Sequence, residues 1–261
     1  MVVAEGVLMS SLLTRRKLIT TGLAAVTGTA TIGVTALLAK RYSLIPPDYG
    51  GIYGLGESLT YAAQRPFMAR QSLAREFDRD EISKVVPVNG EPPEIDTYQQ
   101  LLAGDFADWR LTVDGLVNRP LSFSLAELKR FPSRSQITHQ ACEEGWSFIA
   151  ESTGVPLSYV LDLVGVRPEA KYVVFFPFDD FWDSIDMLDA FHPQTFLAYG
   201  MNGRELPTRH GAPVRLRVSR QLGYKSIKYL SRITVTDTLD DIGKGLGSKG
   251  AEQGYSWYGG I

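Results

Sequence analysis

Gln136-Ile137-Thr138-His139-Gln140-Ala141-Cys142-Glu143-Glu144-Gly145-Trp146-Ser147 carries the only cysteine among 261 residues. Ser135 to Thr138 has strand character, and Glu143 to Trp146 reads as a polar turn around a glycine. Cys142 therefore falls where a strand gives way to a loop, and functional side chains concentrate at such ends because a rigid scaffold aims them. By residue type alone, a lone cysteine is a small buried hydrophobe. At a strand end its thiolate is either a nucleophile or a ligand for a soft or high-valent metal, and residue chemistry leaves both open.

Outward from this stretch the pattern is mixed. Trp109 to Val113 alternates as a strand and Asp114-Gly115 turns it. Ser124-Leu125-Ala126-Glu127 is a capping box opening a short helix that ends at Phe131-Pro132. Pro156 precedes Leu157, Val160, Leu161 and Val164, spaced as one helical face. Tyr172 to Phe176 is a continuous apolar run, a buried strand; Phe196 to Tyr199 enters a hairpin at Asn202-Gly203; Val214 to Val218 and Ile233 to Thr236 alternate. Regular βαβ units and internal repeats are absent, so the expected class is α+β.

The quoted stretch, followed by Gly154-Val155-Pro156-Leu157, resembles the core of the sulfite-oxidase-type molybdopterin oxidoreductases. A second block repeats the resemblance in the same order: Leu197 to Gly203, His210 to Leu216, and Gly223 to Lys228. The similarity runs from about Val88 to the C-terminus. It implies a mixed sulfite-oxidase-type fold and a mononuclear molybdenum held by the pterin dithiolene and one protein thiolate, which Cys142 matches. It implies an anchor for the cofactor at Arg215 and Lys228, with Ser226 and Ile227 offering donors beside them; a guanidinium fork and an ammonium are what a phosphate needs. His210 matches a position that hydrogen-bonds the pterin, and Asn89 a pterin contact before the first core strand. His139, three residues before Cys142, either lines the site or caps local backbone. As bare residues, Arg215 and Arg217 read as exposed alternation on a strand.

The substrate pocket implied by the resemblance takes in Glu144, Asp179, Phe181 and Trp182. Relatives commonly carry an aromatic alcohol at about Phe181, which has no hydroxyl. Asp179 and Asp183 read as loop acids. Sulfite oxidases surround the metal with arginines, whereas here Glu143 and Glu144 follow the cysteine, and carboxylates repel an anion. The pattern Cys-x-Glu-x-Trp-Ser is similar to the methionine-sulfoxide reductase branch. The implied activity is oxygen-atom transfer, with reduction of a neutral sulfoxide-like small molecule first. The alternatives are a sulfite-oxidase-like oxidase or dehydrogenase, or a non-catalytic cofactor-binding scaffold. A cysteine hydrolase using His139 or His210 as base lacks an orienting motif.

Residues 1–40 set Glu5 against Arg15, Arg16, Lys17 and Lys40, a net charge of +3 that leaves −5 on the rest. That mild acidity excludes an electrostatic case for nucleic acid. Arg15-Arg16-Lys17 opens an almost uncharged stretch from Leu18 to Ala39, the layout of a twin-arginine export signal, with periplasmic delivery of a folded chain as the expectation. If uncleaved, its 22 residues anchor the chain in a membrane.

Residues 41–93 read as a linker with a helix near Leu59–Phe77, residues 94–238 as the cofactor-binding core, and residues 239–261 as a tail with seven glycines. The tail is too short for the immunoglobulin-like dimerisation domain of full-length sulfite oxidases, so a single core domain and a monomer are expected. The sequence has neither a Cys-x-x-Cys-His haem motif nor the cysteines of an iron–sulfur cluster. Electrons are expected from a separate partner, a membrane haem protein or a soluble cytochrome.

Overall fold

The computed structural model of the chain describes residues 44–67 and 72–261. The expected export segment lies outside these residues. No described helix is long and apolar enough to cross a membrane.

Two five-stranded sheets carry the fold. The first runs β2 (Leu121–Ser124), β1 (Arg110–Gly115), β10 (Leu230–Thr236), β5 (Tyr172–Pro177), β6 (Asp183–Asp186). Its β1–β10 pair is parallel, with Val113 opposite Ile233, and its other pairs are antiparallel. The second runs β3 (Arg134–Ala141), β4 (Ser147–Pro156), β7 (Thr195–Met201), β8 (Arg204–Glu205), with β9 (Arg215–Val218) also paired to β7. Six described helices complete it: α1 (Leu55–Phe67), α2 (Asp96–Ala103), α3 (Leu125–Arg130), α4 (Leu157–Val164), α5 (Met187–Ala190) and α6 (Lys249–Glu252). This is the mixed α+β class the sequence pattern predicts.

One main core joins the sheets. Val113, Val173, Phe175, Ile233 and Val235 enter it from the first sheet, and Val155, Leu197, Leu216 and Val218 from the second. The apolar face of α4, Leu157, Val160, Leu161 and Val164, is wholly buried in it. Burying each such aliphatic side chain is worth about 1.5–3 kcal/mol, which is why a short helix with one apolar stripe holds its place. At the start of α3 the Ser124 hydroxyl accepts the Glu127 amide at 3.2 Å while the Glu127 carboxylate accepts the Ser124 amide at 2.8 Å.

Two elements depart from the sequence reading, and the tail, whose aromatics could pack back onto the core, does so. The first described helix is Leu55–Phe67, and residues 72–77 of the expected Leu59–Phe77 helix are not helical: Phe77 donates its amide to the Ile137 carbonyl of β3. Asp183, expected as a loop acid, instead begins a buried edge strand, Asp183–Asp186, where it meets Lys225. The tail folds back: Trp257 and Tyr258 are buried against Tyr61 of α1, with ring centroids 6.0 and 5.3 Å away. Extension, core and tail all belong to one unit, residues 47–261.

Candidate cofactor-binding site

The hairpin from β3 to β4 presents the cysteine. Cys142 donates its amide to the Trp146 carbonyl at 2.8 Å, and Gly145 donates to the Cys142 carbonyl at 3.1 Å, closing a tight turn. Gly145 sits at φ 91, where a side chain is strained. The loop before β10 packs against this turn: a Cβ on Gly223 would lie 3.3 Å from the Ala141 carbonyl oxygen and 3.6 Å from Cys142 Cα. The two sequence blocks that resemble one family are thus brought together at Cys142.

They enclose a cavity of about 350 Å³. Cys142, Glu143, Glu144 and Trp146 line one part of it; His210, Arg215, Ser226, Ile227 and Lys228 line another, with Asn89, Asp179 and Phe181 between chain segments at its wall. This volume lies in the range of small-molecule and cofactor sites. Helix α2 steadies the far wall, where the Tyr98 hydroxyl donates to the Ala212 carbonyl at 2.8 Å.

At the thiol end, the Cys142 Sγ–H points to Glu143 Oε2 at 3.4 Å and Glu144 Oε2 at 3.9 Å, and Glu144 also accepts the Trp146 indole N–H at 2.9 Å. Burial, opposed by the Glu144 amide and reinforced by the two carboxylates, pushes the thiol up to about 11. A thiol so placed keeps its proton at neutral pH until a metal cation displaces it. This also disfavours a cysteine nucleophile, which needs a depressed value.

The opposite end is cationic. Arg215, expected as exposed alternation, is 8% exposed; its guanidinium donates to the His210 carbonyl at 3.0 Å and the Ser226 carbonyl at 2.8 Å, while its Nε has no partner. Arg217 is likewise buried, donating to Thr138 Oγ1 at 3.2 Å and the His139 carbonyl at 2.9 Å. Both strand arginines point inward because β9 is buried on both faces. Lys228 donates to the carbonyls of Asn89 and Arg209 at 2.5 and 3.1 Å. Burial, then the Arg215 charge, lowers Lys228 to about 8, and burial with Arg215, Lys228 and Arg209 lowers His210 to about 4. The His210 ring is therefore neutral and offers one donor and one acceptor.

Three expected site residues stand elsewhere or act otherwise. His139 alternates away from the cavity on β3, where Thr138 and Gln140 take the buried face; it contributes only its carbonyl, to Arg217. Trp182 stacks on Phe176 at 6.5 Å, outside the cavity lining. Ser226 spends its amide on the Gly223 carbonyl, and its hydroxyl accepts from the Val218 amide at 3.2 Å, so it holds the loop and the arginines. Sequence reasoning missed Gln140, Arg209, Tyr229 and Tyr255, which also line the cavity. Arg209 neighbours His210 in the second block and was legible there; Tyr255 reaches the site only because the tail folds back.

A cavity with a soft donor at one end and cations short of an anion at the other fits an anionic, metal-carrying cofactor. The family model for the oxidoreductase molybdopterin binding domain matches residues 98–241, and the chain belongs to that family. It is a molybdopterin oxidoreductase, and the site's donors fit the group: the partnerless Arg215 Nε and the crowded cations suit a phosphate, the thiol suits molybdenum. The chain is 38% identical over 189 residues to a protein of Azospira oryzae provisionally named protein-methionine-sulfoxide reductase subunit YedZ1, covering 70% of each. It is 35% identical to the protein-methionine-sulfoxide reductase catalytic subunit MsrP of Xanthomonas axonopodis, over 51% of this chain and 46% of that one. The chain thus spans about half the length of the MsrP relative. Among solved structures, sulfane dehydrogenase SoxCD of Paracoccus pantotrophus matches with TM-score 0.49 at 30% identity, over 51% of this chain and 39% of that chain.

Proposed function

We propose that the chain reduces methionine sulfoxide to methionine, with molybdenum-molybdopterin bound between Cys142 and the Arg215–Lys228 end of the cavity. The observation that carries this reading is that one cavity joins the lone thiol to cations that have no carboxylate partner. Cys142 supplies the single protein ligand to the metal. Arg215 and Lys228 bind the phosphate of the pterin, Arg215 as a fork fixed by two carbonyls, Lys228 as a point charge. His210 and Asn89 border the same region and contact the pterin through neutral donors and acceptors. When bound, the cofactor supplies oxygen-atom transfer: the sulfoxide gains two electrons and two protons, and leaves as thioether plus water.

The substrate class follows from the residues beside the thiol. Glu143 and Glu144 put negative charge where a substrate must approach Cys142, costing an anion such as sulfite about 1–4 kcal/mol at 4 Å, depending on local screening. A neutral sulfoxide bears no such cost. Phe181 and the Tyr229 ring give that approach an apolar wall. The names of the Azospira and Xanthomonas relatives agree with this choice.

Electrons reach the site from a separate haem protein in the membrane or a soluble cytochrome, since the single cysteine leaves the chain no covalent haem or iron–sulfur site of its own. The Arg15-Arg16 segment exports the folded, loaded chain to the periplasm. The test is turnover by protein purified from a host that makes the cofactor, with a reduced viologen as donor. Oxidation of the dye by methionine sulfoxide, and little dye-coupled oxidation of sulfite, is expected; the reverse order contradicts the reading.

A further inference from the structure

Arg217 stands behind the cofactor cavity and is not among the residues that line it. It is 3% exposed, and burial together with the Arg215 charge lowers it to about 9, so it is a cation at neutral pH. It borders a small void with Phe148, Ala150, Met201 and Leu206 as well as polar residues. A buried charge without a carboxylate is expensive, and an aliphatic side chain would fill such a place at lower cost. The charge therefore has a use that packing does not supply.

The guanidinium joins two segments. Its Nη2 donates to Thr138 Oγ1 at 3.2 Å and to the His139 carbonyl at 2.9 Å, both on β3. Its Nη1 donates to Ser226 Oγ at 3.4 Å. Strand β3 leads directly into Cys142, three residues after His139, and Ser226 stands two residues before Lys228. Ser226 is itself fixed to β9: its hydroxyl accepts the Val218 amide at 3.2 Å and its carbonyl accepts Arg215 at 2.8 Å. One planar fork thus spans from the strand that presents the thiol to the loop that presents the cationic end. A lysine ammonium, a single point on a flexible stem, carries the same charge without that span.

We propose that Arg217 is a positioning residue for oxygen-atom transfer: its fork fixes where the Cys142 sulfur stands relative to the anchored phosphate of the cofactor. This rests on the molybdopterin reading of the cavity. Arg217 touches neither substrate nor metal and acts through Thr138, His139 and Ser226. A misplacement of about 1 Å at a reacting centre costs up to about 10²-fold in rate, so a looser fork shows in kcat rather than in KM.

The test compares the full, metal-loaded chain with Arg217→Lys, which keeps the charge and loses the fork, and Thr138→Val, which keeps Arg217 and removes one acceptor. The Mo(V) electron paramagnetic resonance signal is recorded beside dimethyl sulfoxide turnover per bound molybdenum. In Arg217→Lys, kcat per molybdenum is expected to fall about tenfold with KM within about twofold, and the Mo(V) signal to broaden or split. Thr138→Val should show the same spectral change with a loss of about threefold. A role in folding alone lowers molybdenum content and leaves signal and turnover of each loaded molecule as in wild type. Wild-type signal and wild-type turnover per molybdenum in both variants overturns the assignment. If Arg217→Lys does not fold, Thr138→Val decides by the same criterion. A wild type without any Mo(V) signal overturns the cofactor reading and this inference with it. A wild type with the signal but no sulfoxide turnover overturns only the substrate reading, and the spectra of the variants still decide for Arg217.

Discussion

Two sets of cations, all buried except the half-buried Lys228, lie within a few residues of each other and meet opposite surroundings. Lys225 Nζ rests 2.5 Å from Asp183, both 1% exposed, and Arg220 is paired with Asp189. Arg215, Arg217 and Lys228 bond only to carbonyls and hydroxyls, and no ion pair includes them among the described residues. Taking a cation out of water is expensive, so nature retains one where a charge answers it. In the first set the answering charge is part of the chain and the cations hold the fold. In the second the chain supplies no such charge, and the proposed cofactor phosphate is what would answer it.

Removing Lys225 tests the first half of that contrast with the largest effect. Lys225→Met strands the Asp183 carboxylate and should cost about 3–5 kcal/mol in urea unfolding, with Asp183→Asn in the same chain recovering most of it. No stability loss would mean the pair is not what secures β6 to the loop before β10.

Arg215→Met tests the second half. The metal-free variant should be as stable as wild type or more so, since a buried charge without a carboxylate disappears. Molybdenum retained after purification should nevertheless fall by more than about tenfold, the loss of a charge-assisted fork. A variant that unfolds yet keeps its metal would reverse the assignment.

The pH dependence sharpens it further. Lys228 titrates at about 8, so it is charged below that pH and neutral above it. Pyrophosphate binding to the metal-free chain should weaken by up to about tenfold between pH 7 and pH 9, and Lys228→Met should flatten the profile. The smallest effect belongs to the thiol end. Glu144 is exposed and screened, so Glu144→Gln should improve sulfite relative to sulfoxide by less than about fivefold in competing turnover.

The sequence made some of this plain and hid the rest for physical reasons. Periodicity located α4, β5 and the β7–β8 hairpin, because one face or all of each is apolar. The capping box located α3. Cys142, Arg215 and Lys228, singled out through their motifs, line one cavity. What periodicity could not show is a polar strand buried by ion pairing, as in β6, or arginines facing inward on β9, because both require a partner from elsewhere in the chain. His139 was misplaced by proximity to the cysteine: in a strand, odd and even positions face opposite ways, so nearness in sequence does not place two side chains together.

The most direct test of the cofactor's placement is X-ray absorption at the molybdenum edge on wild type and Cys142→Ala. The cationic end is intact in the variant, so it should still hold the pterin, with one sulfur fewer around the metal than in wild type. An unchanged sulfur count, or a folded wild type from a competent host with no molybdenum, would contradict the placement between Cys142 and Arg215.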